Sequence, residues 1–215
     1  MVLSRVLCSA LLIFVPLVGH AGALTVTVLD PKGEPLADAV VAVLTDQPQN
    51  ASAEAPEAIM DQRDRQFIPQ VLAVRTDTLV RFPNSDNIRH HVYSFSPAKR
   101  FELRLYHGTT AEPVRFDQPG KVALGCNIHD AMLGYIYVVD TPWFGVSGSD
   151  GQVQFDELPA GRYQVELQHP RLAEPVTRSL ELEGESSPSL QVTLEPLQPD
   201  PRQRQSESEL DRLFD

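Results

Sequence analysis

Alternation of apolar and polar residues dominates this chain. In LTVTVLD, Leu24, Val26 and Val28 fall on one side, the period-two pattern of a strand with one buried face. PKGEPL follows as a turn, and ADAVVAVLTD reads as a second strand. QPQNASAEAPEA then breaks the pattern with Pro and Ala, as a linker does. From Ile59 the strands are shorter. FIPQVLAV and TLVRF flank an RTD turn, HVYSF is another strand, and VRFDQPGKVALGC turns at a glycine into one more. MLGYIYVVD closes the block. Only AKRFELRLYHG suits a turn or a short helical piece, and no helical period is sustained between 59 and 140. After Asp140 a second β texture begins. GVSGSDGQVQFDEL predicts a hairpin turning at Asp150-Gly151, and GRYQVELQHP and SLQVTLEPL alternate clearly. The predicted fold class is all-β.

Composition agrees with that picture and narrows the function classes. Eighteen prolines in 215 residues disfavour long helices, and 42% hydrophobic residues are enough for a core. A net charge of -11 argues against a nucleic-acid partner and is read as solubility. Residues 1–23 stand apart as a signal peptide. Arg5 is followed by an apolar run from Val6 to Val18, too short to span a bilayer, and Ala21–Ala23 offers small residues for cleavage after Ala23. The expectation is a periplasmic protein with no membrane span after cleavage. Residues 198–215 read as a polar, disordered tail in which SELDRLF could form a short amphipathic turn.

Loss of the leader removes Cys8 and leaves Cys126 as the single cysteine, which excludes an internal disulfide. Its neighbours make it chemical rather than inert. In GCNIHDAML, His129 follows Cys126 by three residues and Met132 follows His129 by three. Val122, Leu124 and Cys126 share one face of a strand, so the thiol points inward at the strand's end. Thiolate and thioether are soft donors and imidazole is intermediate, a set that prefers copper to magnesium, calcium or manganese. A trigonal His₂Cys site with a long axial Met needs a second histidine. RHHVYSF supplies His90 and His91 on opposite faces of a strand; alternation mildly favours His91, which shares a face with Tyr93 and Phe95.

FIPQVLAVRTDTLVRFPNSDNIRHHVYSFS together with GKVALGCNIHDAM resembles the cupredoxins of the plastocyanin and amicyanin class, and among them the small periplasmic copper proteins often labelled methylamine utilisation proteins. The likeness covers about residues 57–140 and implies a Greek-key β-sandwich. It implies one type 1 copper held by His90, Cys126, His129 and Met132, with His91 where the family usually carries a bracing Asn. It also implies a one-electron carrier rather than an enzyme, since four protein ligands leave no open position. The expected partner is a transient redox protein, for example a c-type cytochrome or a dehydrogenase, met by a monomer through the exposed edge of His129 and an apolar rim of Ile128, Ala131 and Leu133.

DGQVQFDELPAGRYQVEL resembles the transthyretin-like β-sandwich that accompanies carboxypeptidases and carbohydrate-binding-like domains. That segment holds too few strands alone. We expect residues 24–46 and 141–197 to form one discontinuous sandwich, with a linker at 47–56 and the cupredoxin at 57–140 inserted; the alternative is that 24–46 adds strands to the inserted sandwich. Trp143 and Phe144 are expected at the junction, and His107 and His169 are expected to face solvent. Two other functions fit the same residues: a copper-delivery protein, or a carbohydrate- or protein-binding module with a structural cupredoxin fold. No nucleophile triad, HExxH or phosphate-binding glycine loop appears.

Overall fold

The computed structural model describes residues 21–46, 56–108, 112–183 and 186–200. The leader up to residue 20, most of the 47–56 linker and the tail from 201 onward therefore lie outside the described residues. Among the described residues there are seventeen strands and no α-helix. The strands lie in four layers, with a three-stranded sheet at each outside.

The first outer sheet pairs β1 (Ala21–Leu29) with β14 (Gln152–Pro159) on one side and β17 (Ser189–Thr193) on the other. Facing it is a sheet ordered β13 (Phe144–Val146), β2 (Val40–Leu44), β15 (Gly161–Gln168), β16 (Val176–Leu182). The inward residues of these two sheets form one core. Leu24, Val26 and Val28 of β1 meet Val41 and Val43 of β2 and Tyr163, Val165 and Leu167 of β15. Residues 21–44 are thus hydrogen-bonded to strands between 144 and 193, more than 100 residues downstream, and to none between 57 and 139.

The third layer is a five-stranded sheet: β6 (Val71–Arg75), β12 (His129–Val139), β11 (Gly120–Cys126), β8 (His90–Ser96) and β9 (Lys99–Tyr106). The fourth contains β10 (Val114–Phe116), β7 (Thr78–Arg81) and β3 (Glu57–Ile59), with a small hairpin of β4 (Asp61–Arg63) and β5 (Gln66–Ile68) beside it. Phe67, Phe82, Val92, Phe116, Leu124 and Ile136 fill the space between these layers.

Two strands explain how the layers join. VVAVL in β2 and YIYVV in β12 are unbroken apolar runs because both of their faces are covered. Val40 and Ala42 of β2 face outward onto Tyr135, Tyr137 and Val139 of β12, and Phe144 and Val146 pack into the same seam. Lys121 bridges the seam: its Nζ donates to Pro170 O at 2.9 Å and lies 5.2 Å from the ring centre of Tyr135.

Three local expectations are corrected. AKRFELRLY is not helical but the edge strand β9, its apolar residues Phe101 and Leu103 turned to the core and its charges outward. Asp150-Gly151 does not close a hairpin. β13 pairs with β2 and β14 with β1, so the turn carries the chain from one sheet to the facing one. Gly151 is required there: its φ is +71°, and a Cβ would lie 2.5 Å from Val28 O. Trp143 belongs to the outer core, edge-on to Tyr163 at 6.0 Å, and only Phe144 reaches the seam.

Candidate metal centre

Cys126 ends β11 and His129 begins β12, and the two are paired in register across a turn of two residues. Val122, Leu124 and Cys126 all face the inner core, as their alternation requires. Beyond that point the ladder breaks. Leu124 pairs with Gly134 but Cys126 with His129, so β12 carries three more residues than β11 over this stretch. Met132 lies within that bulge and is turned into the core, 1% exposed beside Cys126 in the same apolar cluster.

β8 brings the remaining histidines. His90 is fully buried, and its Nδ1 lies 3.8 Å from Cys126 Sγ. Nδ1 of His129 approaches the same sulfur at 4.0 Å, and the two imidazole rings are 5.1 Å apart. One ligand atom from each of His90, Cys126 and His129 thus lies within 4.8 Å of the others. His91 points the other way. Its Nε2 lies 3.0 Å from Glu102 Oε1 and its ring is tilted against that of Tyr93, centres 5.6 Å apart. The face that carries Tyr93 and Phe95 is the outer one, which is why alternation misleads here: those aromatics are not core residues.

The donor separations suit a metal ion. A metal bonded to sulfur at ~2.3 Å and to imidazole nitrogen at ~2.0 Å with trigonal angles holds those atoms about 3.7 Å apart. A thiol proton could serve only one of the two converging nitrogens. Soft sulfur with two imidazoles is a donor set that copper prefers.

The histidines are oriented from behind. Nε2–H of His90 donates to Asp86 Oδ2 at 2.6 Å, which leaves Nδ1 bare toward the sulfur. Asp86 is itself fixed by the β4–β5 hairpin. Its two-residue turn, Asp64-Arg65, has positive φ at both positions, the geometry that closes a tight hairpin. The backbone N–H groups of that turn donate to Asp86 at 2.7 and 2.9 Å. Burial pushes the Asp86 carboxyl upward, but the N–H groups of Arg65 and Asp64 and the His90 ring outweigh it and hold its pKa below the ordinary value. Asn84 completes the support: its Nδ2 donates to Ile88 O and Tyr106 O, both at 2.9 Å, and its Oδ1 accepts from Asp86 N–H. Burial, with the nearby His90 and Arg65, lowers the pKa of His129 and favours the neutral ligand form.

Sequence reasoning missed Asp86 and Asn84. The signal was present in PNSD, a polar cluster four residues ahead of His90, but its partners are amides more than twenty residues away. Ile128, expected on the rim, is 49% exposed. His107 is exposed as expected, whereas His169 is corrected: it is 6% exposed, its Nδ1 accepts from Arg171 N–H at 3.1 Å, and burial lowers its pKa to about 4.

No protein-family model and no curated protein matches the chain. Among solved structures it is similar to a mutant amicyanin in its reduced Cu(I) form, at 17% identity over 46% of this chain and 98% of that one, with a TM-score of 0.35. A purple cupredoxin from Nitrosopumilus maritimus aligns at 18% identity over 39% of this chain and 99% of that one, TM-score 0.34. A copper-containing nitrite reductase from Thermus scotoductus aligns at 22% identity over 54% of this chain and 28% of that one, TM-score 0.38.

Proposed function

We propose that this chain is a cupredoxin whose one type 1 copper is held by His90, Cys126, His129 and Met132, and that it carries single electrons in the periplasm. The observation that supports this reading most is the convergence of two imidazole Nδ1 atoms on one buried thiol, at 3.8 and 4.0 Å. Copper bound there supplies a one-electron couple between Cu(II) and Cu(I).

The chain's own residues do the rest. Asp86 accepts from Nε2–H of His90, which favours the tautomer that leaves Nδ1 free to bind. The β11–β12 pairing sets the separation of Cys126 and His129, and the bulge aims Met132 inward. Each donor sits on a strand or is braced by one, so little has to move when the charge of the site changes. The apolar packing around Cys126 and Met132 keeps water away from the sulfur side. We further propose that residues 24–46 and 141–197 form a single sandwich into which residues 57–140 are inserted. A monomer meeting a transient redox protein fits a site with one partly exposed histidine.

The test is a visible and paramagnetic-resonance spectrum of the copper-loaded protein. An intense thiolate charge-transfer band that bleaches reversibly on reduction is expected, and Cys126→Ser should abolish it. A blue band that survives Cys126→Ser would refute the ligand set, and loose, colourless Cu(I) binding would indicate delivery instead.

A further inference from the structure

The seam covers only half of the five-stranded sheet. Its outer face is packed against the neighbouring sheet along β6 and β12. Along β11, β8 and β9 no further sheet covers it among the described residues, and exposure rises along β8 from the buried His91 through the half-buried Tyr93 to the surface. His91, Tyr93 and Phe95 form a row of tilted rings along β8, with ring centres 5.6 and 5.2 Å apart. Phe95, at the outer end, is 75% exposed, the most exposed large hydrophobic residue among those described. A contiguous apolar patch, more than one exposed side chain, marks an interaction site, and Phe95 is continuous with the half-buried Tyr93.

The inner end of the row touches the metal centre's backbone. Tyr93 is paired with Gly125, the residue before Cys126. It lies so close over that glycine that an added Cβ would be 2.7 Å from the Tyr93 hydroxyl oxygen. The ring can rest there only because position 125 has no side chain. Aromatic contacts thus run from one residue short of the thiolate to the surface, away from the edge of His129.

The charges beside the row single out a partner. On β9, Arg100 pairs with Phe95 and Glu102 with Tyr93, so Arg100, Glu102 and Arg104 share this face. Glu102 Oε1 lies 3.0 Å from His91 Nε2 and 3.7 Å from Arg104 Nε, close enough to offset only one of the two arginines. The face is therefore net basic, on a chain of net charge -11. Resting on the carrier reading above, we propose that this face is a second docking surface, for a one-electron acceptor protein that presents acidic side chains around its redox centre. In the exchange one electron leaves on the Cys126 side and passes by way of Gly125, Tyr93 and Phe95. The site is oxidised by one electron, the partner is reduced by one, and no proton or bond is transferred.

The test uses the full chain and two anionic probes. Hexacyanochromate(III), which is paramagnetic and redox-inert, is added to the metal-free ¹⁵N-labelled protein. Amide broadening should concentrate on residues 93–104 and disappear in Arg100→Glu/Arg104→Glu. Hexacyanoferrate(III) then oxidises the reduced copper-loaded protein in stopped flow. At low ionic strength the double charge reversal should slow the reaction about tenfold or more, an effect that salt erases, with the visible band and potential unchanged. Phe95→Ala, at an exposed position that the fold does not need, should slow it as well. Broadening centred on residues 127–129, or wild-type rates in both variants, would overturn the proposal. Concentration-dependent broadening without probe would make a second copy the occupant and overturn the assigned partner. A copper-loaded protein with no reversible couple would sink the carrier reading and the electron route, and the broadening map would report separately on the surface.

Discussion

Replacing Asp86 by Asn keeps the shape of the side chain and removes its charge. Three N–H groups converge on the carboxylate: His90 Nε2 and Arg65 N on Oδ2, Asp64 N on Oδ1. An amide has one acceptor oxygen, so at least one of the three donors loses its partner. Hydrogen bonds to a charged group contribute about 1.5–3 kcal/mol each, and the metal-free protein should lose about 2 kcal/mol of stability in urea unfolding. The larger consequence is electronic. A carboxylate roughly 7 Å from the charge it stabilises, at an effective dielectric of about 20, is worth about 2.4 kcal/mol, or about 100 mV for one electron. The negative charge favours the oxidised site, so Asp86→Asn should raise the potential by up to that amount while the blue band persists. Voltammetry of the copper-loaded protein reads the shift directly. An unchanged or lowered potential, with the band intact, would refute the idea that this carboxylate tunes the site. The acid limb gives a separate check. Because the folded pKa of Asp86 is lowered, its contribution is present above about 3.8 and lost as pH falls further. Asp86→Asn should remove that loss.

The two adjacent histidines separate cleanly: His90→Ala should abolish or change the blue site, while His91→Asn should keep its colour, and the reverse pattern in the two spectra would put the metal on the outer face. His169 is neutral when folded, with a pKa near 4, so stability should fall as pH drops from about 6.5 towards 4, by up to about 3 kcal/mol. His169→Asn should flatten that part of a urea-unfolding series against pH; an unaltered slope would count against the buried neutral ring. The mature protein should begin at Leu24 in a periplasmic extract, and a mass spectrum retaining residues 5 to 20 would overturn the leader.

Much of this architecture was legible because period-two alternation reports faces. Leu24, Val26 and Val28, and Val122, Leu124 and Cys126, were each assigned to one side and are found in one core. Chemistry was legible for a related reason: Cys126 and His129 are so near in sequence that a tight turn must bring them together. Alternation does not say which sheet a strand joins. That is why Asp150-Gly151 looked like a hairpin when it is a crossing between sheets. It does not distinguish a core aromatic from an exposed one, which is why alternation by itself leans to His91 while the resemblance implies His90. The bracing of His90 was hidden for another reason, since its partners are backbone amides of a distant turn and no side chain announces them.

The first described strand has its partners at the far end of the chain, and this dictates an order of assembly. Thr25 is paired with Gln154 and with Ser189. β1 must therefore wait, its edges open, until the chain as far as Thr193 is available to pair with it. The strands between 57 and 139 find their neighbours among themselves and can close first. Doing so draws together β2 and β13, where Ala42 meets Phe144. Bridging those positions through an unfolded loop of roughly 100 residues would cost about 4 kcal/mol of closure entropy. Once residues 57–139 have folded that cost is already met, so they act as a template on which the two sheets built from β1, β2 and β13–β17 close. Destabilising the sheets of residues 57–139 should slow the folding of all four layers, while damage to β1 or β17 should leave residues 57–139 able to fold.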